Sequence, residues 1–363
     1  MKHIVHLVSN KVWGGGEQYV YDLCQRLSQD VFPVTVVCRP YSAIYDKLRH
    51  LNATVVQMPL KGIVDIVSVW RLARLLCQGE YVIHAHNFKD ALTAAMARRL
   101  SGNSSRVKLI ITRHLVKKGS NNLLYRWLYG QVDKVVFVSE LARQEFMLSQ
   151  PNIAYDKTCV IHNSIALPAE RKCSETIILR EKYNLKDSTA IIMYHGRLAE
   201  EKGIEVLIEA LGIIRNADFF LIIAGTGEAE YTKRLRELAL SCGIADKLDF
   251  VGFLQEVIPY IRQCDFGVLP SIARESFSLA CLEYMSQGKC VIASDNGGQS
   301  EYLISEKNGI LTPPGNSKSL SNKIKQLIED KNMRNSIGEQ ALNDFHASLD
   351  YNHFYKRIKE LYV

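Results

Sequence analysis

The sequence has no long hydrophobic run and no strong compositional bias. Of its 363 residues, 47% are hydrophobic and 23% are charged, which is close to the globular average and excludes a disordered, fibrous or low-complexity chain. No run approaches the roughly 18 apolar residues of a membrane-spanning helix. The apolar stretch that follows Lys2 is too short for a secretory signal and lacks a small-residue cleavage site, so we expect a cytoplasmic protein.

The cysteines have neither the spacing of a zinc site nor the even number of a disulfide framework. There are nine of them, no two form a Cys-x-x-Cys pair, and most lie in apolar segments. This pattern is typical of reduced, buried thiols. It disfavours both disulfide cross-links and a metal site built from cysteine.

Acidic residues are scarce in the first half of the chain. Residues 1–165 contain 21 lysines and arginines but only 11 aspartates and glutamates, a net charge of +10, whereas the remainder carries −3. A basic half joined to a mildly acidic half indicates that the first half meets something anionic. Nucleic acid, an anionic membrane surface and a phosphorylated substrate all fit this pattern, and a role in solubility alone stays open.

Short apolar runs alternate with amphipathic stretches along the whole chain. Runs rich in Val and Ile predict parallel strands that are buried on both faces, and stretches such as Glu17–Leu27 and Ile66–Cys77 predict helices between them. The predicted strands are His3–Val8, Val34–Cys38, Thr54–Met58, Tyr81–His84, Val107–Thr112, Lys134–Val138, Ala190–Tyr194, Phe219–Ala224, Leu248–Val251, Phe266–Leu269 and Cys290–Ala293. This alternation predicts an α/β fold with two doubly wound parallel-sheet domains in tandem.

The same pattern predicts the domain boundaries. We expect a first domain over residues 1–165, a linker over 166–189, a second domain over 190–345 and a helical segment over 346–363 that packs back on the first domain. Ligands of such sheets bind at the carboxyl ends of the strands. Two domains that face each other would place the site in the cleft between them.

Two polar motifs follow predicted strands of the first half. The loop Gly14-Gly15-Gly16-Glu17 opens a helix, where glycine lets the backbone approach a ligand and free N–H groups attract an anion. It is not Gly-x-Gly-x-x-Gly, so a dinucleotide site is disfavoured, and a plain tight turn is the alternative. His84 and His86 end a strand on one face, which favours a site over core packing. A zinc pair there lacks a third ligand at motif spacing.

Two further motifs lie in the second half. Arg197 and Lys202 flank a loop that precedes a helix, and two cations near a helix start suit a diphosphate; a solvated turn is the alternative. Glu275 and Glu283 are eight residues apart, which on one helix is about 80° of rotation and about 12 Å of rise. The pair would then share a side and span a nucleoside diphosphate, with backbone N–H groups of residues 276–278 near the phosphate.

Taken in order, these motifs resemble a known family. The early Gly-Gly-x-Glu loop, the Gly-Arg-x4-Lys-Gly element from Gly196 and the Glu-x7-Glu element from Glu275 are similar to those of family 4 of the retaining glycosyltransferases, which have the GT-B fold. The later Gly-Gly-x-x-Glu and Asn-Gly-x-Leu pieces also match. The resemblance covers nearly the whole chain. One departure is Ser278, which stands where many members have glycine.

The resemblance implies a role for each matching position. His86 would lie beside the donor sugar, Glu275 would touch the transferred sugar, and both are the expected catalytic residues. The implied donor-binding positions are Gly15, Arg197, Lys202, Gly225, Phe253, Ser276, Phe277, Ser278 and Glu283, with Glu283 on the ribose. It also implies that no metal and no cofactor are needed, and that a nucleotide-diphosphate sugar is the co-substrate.

The resemblance further implies the activity and its partners. We expect a retaining transfer of a sugar to a glycan or lipid-linked acceptor, in the synthesis of a cell-surface polysaccharide or lipopolysaccharide, with no nucleic-acid partner. A sugar-nucleotide epimerase on the same scaffold and a non-catalytic nucleotide-sugar-binding protein stay open as alternatives. Turnover of the donor without an acceptor would distinguish the epimerase.

Residues 106–134 combine cations with an apolar helical face. Leu123, Leu124, Trp127 and Leu128 have helical spacing and are flanked by lysines and arginines. Such a helix suits the surface of an anionic bilayer, and a helix that faces the core is the alternative. We expect a peripheral association with the inner face of the cytoplasmic membrane.

Overall fold

The computed structural model describes residues 2–30, 32–49, 51, 53–62, 65–167 and 178–363. The chain divides into two compact units: Met1–Ala166 together with Tyr351–Val363, and Leu167–Asp350. The C-terminal helix is therefore part of the first unit. Residues 168–177 of the predicted linker lie outside the described residues.

The first unit is built on a seven-stranded sheet in which every neighbouring pair is parallel. The strand order is β3-β2-β1-β4-β5-β6-β7. The strands are β1 (His3–Val8), β2 (Val34–Cys38), β3 (Thr54–Gln57), β4 (Tyr81–Ala85), β5 (Val107–Arg113), β6 (Lys134–Phe137) and β7 (Thr158–Val160). The helices are α1 (Gly15–Gln29), α2 (Ala43–Leu48), α3 (Ile66–Leu76), α4 (Phe88–Leu100), α5 (Leu123–Gln131) and α6 (Glu140–Met147).

The second unit repeats this plan with a six-stranded parallel sheet in the order β10-β9-β8-β11-β12-β13. Its strands are β8 (Ala190–His195), β9 (Phe219–Ala224), β10 (Leu248–Gly252), β11 (Phe266–Leu269), β12 (Cys290–Ser294) and β13 (Ile310–Thr312). The helices are α7 (Leu179–Lys182), α8 (Ile204–Ile213), α9 (Ala229–Ser241), α10 (Ile258–Gln263), α11 (Leu279–Ser286), α12 (Ser317–Glu329), α13 (Lys331–Asp344) and, returning to the first unit, α14 (Tyr351–Tyr362).

The predicted α/β class with two parallel-sheet domains is confirmed. Each predicted strand is present and ends within one residue of its predicted bound. The two strands that the sequence did not predict, β7 and β13, have three residues each and are too short for a hydrophobic period to show. The eight cysteines of the described ranges are all free thiols, and five of them are buried.

The first sheet is covered on both faces because its side chains alternate between two apolar clusters. Val5 and Leu7 pack with α3 and α4, whereas Ile4 and Val8 on the opposite face pack with α1 and α14. α14 contributes Phe354, Ile358 and other apolar side chains to that second cluster. Among the described residues, no helix is both long and apolar enough to span a bilayer.

Candidate functional site

In the second unit, the carboxyl ends of two adjacent strands bring a cation and a carboxylate together. β8 leads through a short 3-10 turn to Lys202, and β11 leads to the loop that carries Glu275. Because β8 and β11 are parallel neighbours, the loops that follow them lie at the same edge of the sheet. Lys202 Nζ donates to Glu275 Oε1 at 2.5 Å, so residues 73 positions apart in sequence form an ion pair.

This ion pair is half-buried and has a third member. The side chains of Lys202 and Glu275 are 26% and 24% exposed, so both remain accessible to a ligand. Ser271 Oγ donates to the same carboxylate oxygen at 2.7 Å. The carboxylate therefore accepts two hydrogen bonds at Oε1, and the ammonium group beside it is an available cation for an anionic ligand.

The backbone fixes the two loops against each other. The amides of Ile272 and Ala273 both donate to the carbonyl oxygen of Glu201, which precedes Lys202. The amide of Gly298 donates to the carbonyl oxygen of Glu275 at 2.9 Å. A Cβ added at Gly297 would lie 2.7 Å from that carbonyl oxygen, so only glycine allows this approach. The ion pair is thus held by a rigid backbone frame.

The prediction that Glu275 and Glu283 share one helix is wrong. α11 begins at Leu279, and Ser278 is its N-cap, with a side-chain oxygen that accepts from the amide of Cys281. Glu275 therefore lies in the loop before the helix, and the rotation of about 80° does not apply. Ser278 replaces the family's glycine at this point, and its hydroxyl is used to cap the helix.

The remaining residues of this loop line its buried side. Phe277 is 5% exposed and its ring lies 4.8 Å from that of Tyr302, measured between centroids. Tyr302 in turn donates its hydroxyl to the carbonyl oxygen of Ser278. Ser276 is half-buried between Glu275 and Phe277. The aromatic pair thus anchors the segment that leads into α11.

Glu283 lies on α11 and contacts a residue that the sequence analysis did not single out. His195, the last residue of β8, has its Nε2 2.5 Å from Glu283 Oε2. Its Nδ1 lies 3.0 Å from the hydroxyl of Tyr284, and that hydroxyl donates to the carbonyl oxygen of Met193 at 2.9 Å. Glu283 is 27% exposed, so its carboxylate also remains accessible.

Arg197 is more exposed than Lys202. Its guanidinium lies 2.5 Å from Glu201 Oε1, and the two side chains are 66% and 43% exposed. An ion pair between exposed side chains contributes little to stability, so Arg197 can change partner at small cost. The Arg197 carbonyl oxygen accepts from the hydroxyl of Tyr194, which fixes the backbone at this position.

Gly225 and Phe253 follow β9 and β10 at the same edge of the sheet. Gly225 has a φ of +139°, and a Cβ there would lie 1.8 Å from the carbonyl oxygen of Gly196, so the two loops approach as closely as glycine permits. The amide of Gly225 donates to the carbonyl oxygen of Gly252 at 2.7 Å. Phe253 is 68% exposed. An exposed aromatic ring beside such loops is available for a ligand.

In the first unit, the end of β4 lies in a cluster of three buried histidines and a fourth that is partly buried. β1 and β4 are parallel neighbours that pair His6 with His84. His86 Nε2 lies 3.0 Å from His6 Nδ1, and His86 Nδ1 lies 3.4 Å from His114 Nε2. The predicted pair of His84 and His86 is thus part of a group of four imidazoles. Their rings stack or tilt at centroid distances of 4.5–5.7 Å.

Burial keeps these imidazoles neutral. It lowers the pKa of His6 to about 3 and that of His114 to about 4, and it holds the pKa values of His84 and His86 well below their usual range, with the neighbouring histidines adding to the effect. His86 therefore offers a neutral ring rather than a cation. Because both of its nitrogens have imidazole partners, its tautomer depends on theirs.

His6, His84 and His86 have ring nitrogens within 4.8 Å of one another, as three metal ligands would. Both nitrogens of His84, however, already have hydroxyl partners at 2.6 Å, Tyr362 at Nδ1 and Thr112 at Nε2. His6 and His86 share a hydrogen bond instead of a common centre. The cluster is therefore a hydrogen-bonded network rather than a preformed tetrahedral site, and metal independence stays a prediction.

The glycine loop of the first unit leads directly into α1. Gly15 is the first residue of that helix and Gly14 is its N-cap. Glu17 in the first turn is buried and accepts a hydrogen bond from Asn10 at 2.8 Å. The start of α1 thus has no side-chain cap on its backbone N–H groups, as the glycines predict. The Glu17 carboxylate in the first turn interacts favourably with the positive end of the helix dipole.

The apolar face predicted for membrane contact is turned inward, so the outward orientation expected for this helix is wrong. Leu128 and Tyr129 are in the core, and Leu124 and Trp127 pack against it. Leu123 is 82% exposed, since it stands at the start of α5. The exposed side chains of this segment are Arg106, Leu115, Lys117, Lys118, Asn121, Asn122, Leu123 and Arg126.

Two family models match the chain, one in each unit. The model of the family described as Glycosyl transferases group 1 matches residues 175–344, which hold Lys202, Glu275 and Glu283. The model described as Glycosyltransferase Family 4 matches residues 13–167, which hold His86. The chain is a family 4 glycosyltransferase.

Several relatives and solved structures resemble this glycosyltransferase. An uncharacterized glycosyltransferase of Methanocaldococcus jannaschii is 29% identical over 63% of this chain and 59% of its own length. The N,N'-diacetylbacillosaminyl-diphospho-undecaprenol alpha-1,3-N-acetylgalactosaminyltransferase of Campylobacter jejuni is 25% identical over 66% of this chain and 63% of its own length. The matches thus span about three fifths of these two relatives.

The fold comparison extends over the full chain. The Anabaena protein Alr3699/HepE, solved in complex with UDP, superposes with a TM-score of 0.84 at 22% identity and covers 99% of each chain. At this identity the likeness establishes the fold, which is GT-B. The predicted fold class is therefore confirmed on both topology and comparison.

Sequence reasoning missed four residues that contact the candidate site residues of the glycosyltransferase. His195 contacts Glu283, His6 and His114 contact His86, and Ser271 contacts Glu275. The position of His195 at the end of a predicted strand, directly before Gly196-Arg197, was a usable signal. The partners of His86 had no such signal, because they come from strands whose order in the sheet the sequence does not give.

Proposed function

We propose that the protein transfers a sugar from a nucleotide-diphosphate sugar to a hydroxyl acceptor with retention of the anomeric configuration. The observation that carries this proposal is the half-buried pair of Lys202 and Glu275 at the carboxyl edge of the second sheet. A cation and a carboxylate in contact fit a ligand that carries phosphate next to sugar hydroxyls. UDP in the structure of the Anabaena protein supports a uridine nucleotide as the first donor to test.

Donor binding would exchange the partners of this pair. A diphosphate oxygen replaces the carboxylate at Lys202 Nζ, and Glu275 then accepts from hydroxyls of the donor sugar. Arg197, which gives up an exposed pair with Glu201, adds a second cation. Glu283 accepts from the ribose hydroxyls. Lys202 and Arg197 thus exchange carboxylate partners for phosphate oxygens, while Glu275 and Glu283 accept from hydroxyls of the donor.

The same groups stabilise the departing nucleotide. The bond between the anomeric carbon and the β-phosphate oxygen breaks, and the negative charge that develops on that oxygen is met by Lys202 and Arg197. The acceptor oxygen forms its bond to the anomeric carbon on the same face, and its proton passes to the departing phosphate oxygen. The two cations supply the charge that a metal ion would supply, so we propose a metal-independent reaction.

In the first unit, we propose that His86 lies beside the transferred sugar. Its pKa is well below the usual range because of burial, so the neutral ring is the form present at neutral pH. A neutral imidazole with partners at both nitrogens is held in one orientation. This supports a role in placing the sugar rather than in balancing phosphate charge.

The acceptor is proposed to be a lipid-linked or growing glycan. The Campylobacter jejuni relative is named for an undecaprenyl-diphosphate-linked substrate, which supports a lipid-linked acceptor in the synthesis of a surface glycan. We also propose peripheral contact with an anionic membrane through the first unit. Exposed Leu115 and Leu123 with Lys117 and Lys118 between them support this contact.

The decisive experiment is a panel of nucleotide sugars. The protein is first screened for thermal stabilisation by UDP-, GDP-, ADP- and dTDP-sugars, and the best binder is then incubated with glycan and lipid-linked acceptors, with and without EDTA. Transfer with retained anomeric configuration, read by NMR of the product and unaffected by EDTA, is expected. Epimerised donor without acceptor would favour the epimerase, and binding without turnover on any acceptor would favour a binding protein.

A further inference from the structure

His195 connects the sheet of the second unit to the carboxylate of Glu283. It is the last residue of β8, and its side chain is 11% exposed. Nδ1 lies 3.0 Å from the hydroxyl of Tyr284 and Nε2 lies 2.5 Å from Glu283 Oε2. The two partners are consecutive residues of α11, so one imidazole bridges them.

Tyr284 is a fixed support for this imidazole. It is fully buried, and a Cβ added at Gly267 of β11 would lie 2.5 Å from its ring, so the ring rests directly on the sheet. Its hydroxyl donates to the carbonyl oxygen of Met193 at 2.9 Å. Burial raises the pKa of Tyr284 well above the usual range, so the phenol keeps its proton.

Counting protons along this chain of contacts assigns the charge of His195. The carbonyl oxygen of Met193 can only accept, so the one proton of the Tyr284 hydroxyl is used there. The hydroxyl oxygen must then accept from His195 Nδ1. The contact between Nε2 and the Glu283 carboxylate needs a further proton, and a neutral imidazole with a protonated Nδ1 has none to give. All three contacts form together only when one further proton lies between Nε2 and Glu283 Oε2, and we place it on the imidazole because imidazole is a stronger base than a carboxylate.

The alternative proton arrangement leaves two oxygens in conflict. If Tyr284 donated to Nδ1 instead, its oxygen would face the Met193 carbonyl oxygen at 2.9 Å with no proton between them, in a buried place. The other charged side chains of the neighbouring loop are already paired, Arg197 with Glu201 and Lys202 with Glu275. Glu283 is therefore the carboxylate that His195 meets.

We propose that His195 is a positioning residue that holds Glu283 Oε2 as an imidazolium and so presents Oε1 to the ribose of the donor. This inference rests on the proposed function, in which Glu283 binds the nucleotide. Without His195, the glutamate side chain would sample several rotamers, and the donor would have to order it on binding. His195 removes that cost before the donor arrives.

Two amides of different length test this proposal. In His195→Gln, the side-chain amide nitrogen lies near the position of imidazole Nε2 and can donate to Glu283. In His195→Asn, the shorter side chain places its amide nitrogen near the position of Nδ1, where it cannot reach Glu283. We expect His195→Asn and His195→Phe to weaken binding of UDP, or of whichever nucleoside diphosphate binds best, by about tenfold, on the ordering cost of one long side chain. His195→Gln should stay within about threefold of the parent protein, since the hydrogen bond is kept.

A double-mutant cycle separates positioning from a general effect on the fold. In the Glu283→Ala background, His195→Asn should cause no further loss, because the side chain that it positions is gone. In addition, the ¹⁵N spectrum of histidine-labelled protein, with the His195 signal assigned by its absence in His195→Phe, should show both ring nitrogens protonated at neutral pH.

The outcomes distinguish this inference from the proposed function. Equal affinity of the Asn, Gln and Phe variants, an undiminished loss in the Glu283→Ala background, or a singly protonated ring would each overturn the role of His195. If Glu283→Ala still weakens nucleotide binding in those experiments, the nucleotide site itself stands. If the parent protein binds no nucleoside diphosphate, both the proposed function and this inference fail.

Discussion

The two units keep polar groups at the ends of similar parallel sheets, but they do so in opposite ways. In the first unit, three buried imidazoles and a partly buried fourth lie together and are held neutral, with other imidazoles and hydroxyls as partners. In the second unit, Lys202, Glu275 and Glu283 are half-exposed, and each contacts a side chain that can neutralise its charge. The same type of sheet therefore supports one cluster of neutral side chains and one cluster of ion-paired side chains.

This difference predicts different responses to acid. A buried imidazole with a lowered pKa stays neutral in the folded state while the unfolded chain takes up a proton below about pH 6.5. Its stabilising contribution is therefore present above that pH and is lost as the pH falls. The ion pair of Lys202 and Glu275 is half-exposed, so its contribution to stability is small at any pH. Acid should thus act first on the first unit.

The largest expected effect is the loss of stability of the first unit near pH 5.5. One pH unit below the ordinary histidine pKa, each of the four imidazoles costs about 1.4 kcal/mol, or about 5 kcal/mol together. Asp90 offsets about 1 kcal/mol of this, because burial raises its pKa to about 6 and its uptake of a proton favours the folded state as the pH falls. The remaining loss is comparable to the whole stability of a small domain.

Tryptophan fluorescence isolates this effect, because Trp13, Trp70 and Trp127 all lie in the first unit. Denaturant unfolding at pH 7.5 and 5.5 should shift the fluorescence transition strongly. His6→Leu should reduce the pH dependence by about one quarter, while His346→Gln on the surface of the second unit serves as the control. An unchanged fluorescence transition between the two pH values would mean that the imidazoles are not held neutral.

The second effect concerns chemistry in the charged site. Glu275→Gln should spare binding of the free nucleoside diphosphate and lower turnover by about 100-fold or more, because a carboxylate that contacts the reacting sugar is lost. The glutamine keeps the size of the side chain and its hydrogen bond from Ser271. Calorimetry and initial rates are measured on the same preparation. An equal loss of nucleotide affinity and turnover would indicate that Glu275 contacts the nucleotide and not the sugar.

The third effect compares the two cations. Lys202→Ala should weaken binding of the nucleoside diphosphate by about 10- to 100-fold, the range for one charge-assisted bond to phosphate. Arg197→Ala should have a smaller effect, because its guanidinium is 66% exposed and must be ordered on binding. Lys233→Ala, on an exposed pair of α9, is a matched control. Equal affinity of the Lys202 variant and the parent protein for the nucleoside diphosphate would show that the diphosphate does not bind at this edge of the sheet.

The sequence predicts the fold well because buried parallel strands are continuous apolar runs. It fails where position depends on local geometry or on packing. Spacing alone places Glu275 and Glu283 on one helix, but Ser278 caps that helix and it begins after Glu275. A serine before an apolar run was the available signal. For α5, the spacing of the apolar residues shows one apolar face but not what covers that face. In the structure, Leu128 of this face lies in the core.

The candidate site follows the same division. Motif order leads to Lys202, Glu275, Glu283 and His86, since these residues lie in segments that directly follow strands which periodicity already identifies. The partners of His86 depend on the strand order β1-β4-β5, which places His6 and His114 beside it from distant segments. Such neighbours arise from tertiary pairing, so no local pattern indicates them.

The smallest expected effect tests the charge difference between the units. The first half carries +10 and the second −3, and the surface of the first unit presents Lys117 and Lys118 between two exposed leucines. Each lysine near an anionic bilayer contributes about 1 kcal/mol, so Lys117→Glu/Lys118→Glu should weaken binding to anionic vesicles by about 30-fold or more. The parent protein should sediment with phosphatidylglycerol-containing vesicles at low salt and be released at high salt.

The control is a matched charge change on the second unit. Lys323 and Lys325 lie on α12, and Lys323→Glu/Lys325→Glu changes the net charge by the same amount. If membrane contact belongs to the first unit, this variant should bind vesicles as the parent does, apart from the long-range effect of net charge that salt screens. Equal release of both double variants would reduce the effect to overall charge. Equal binding of the parent protein to neutral and anionic vesicles would contradict the membrane contact and favour a soluble acidic acceptor as the partner of the basic surface.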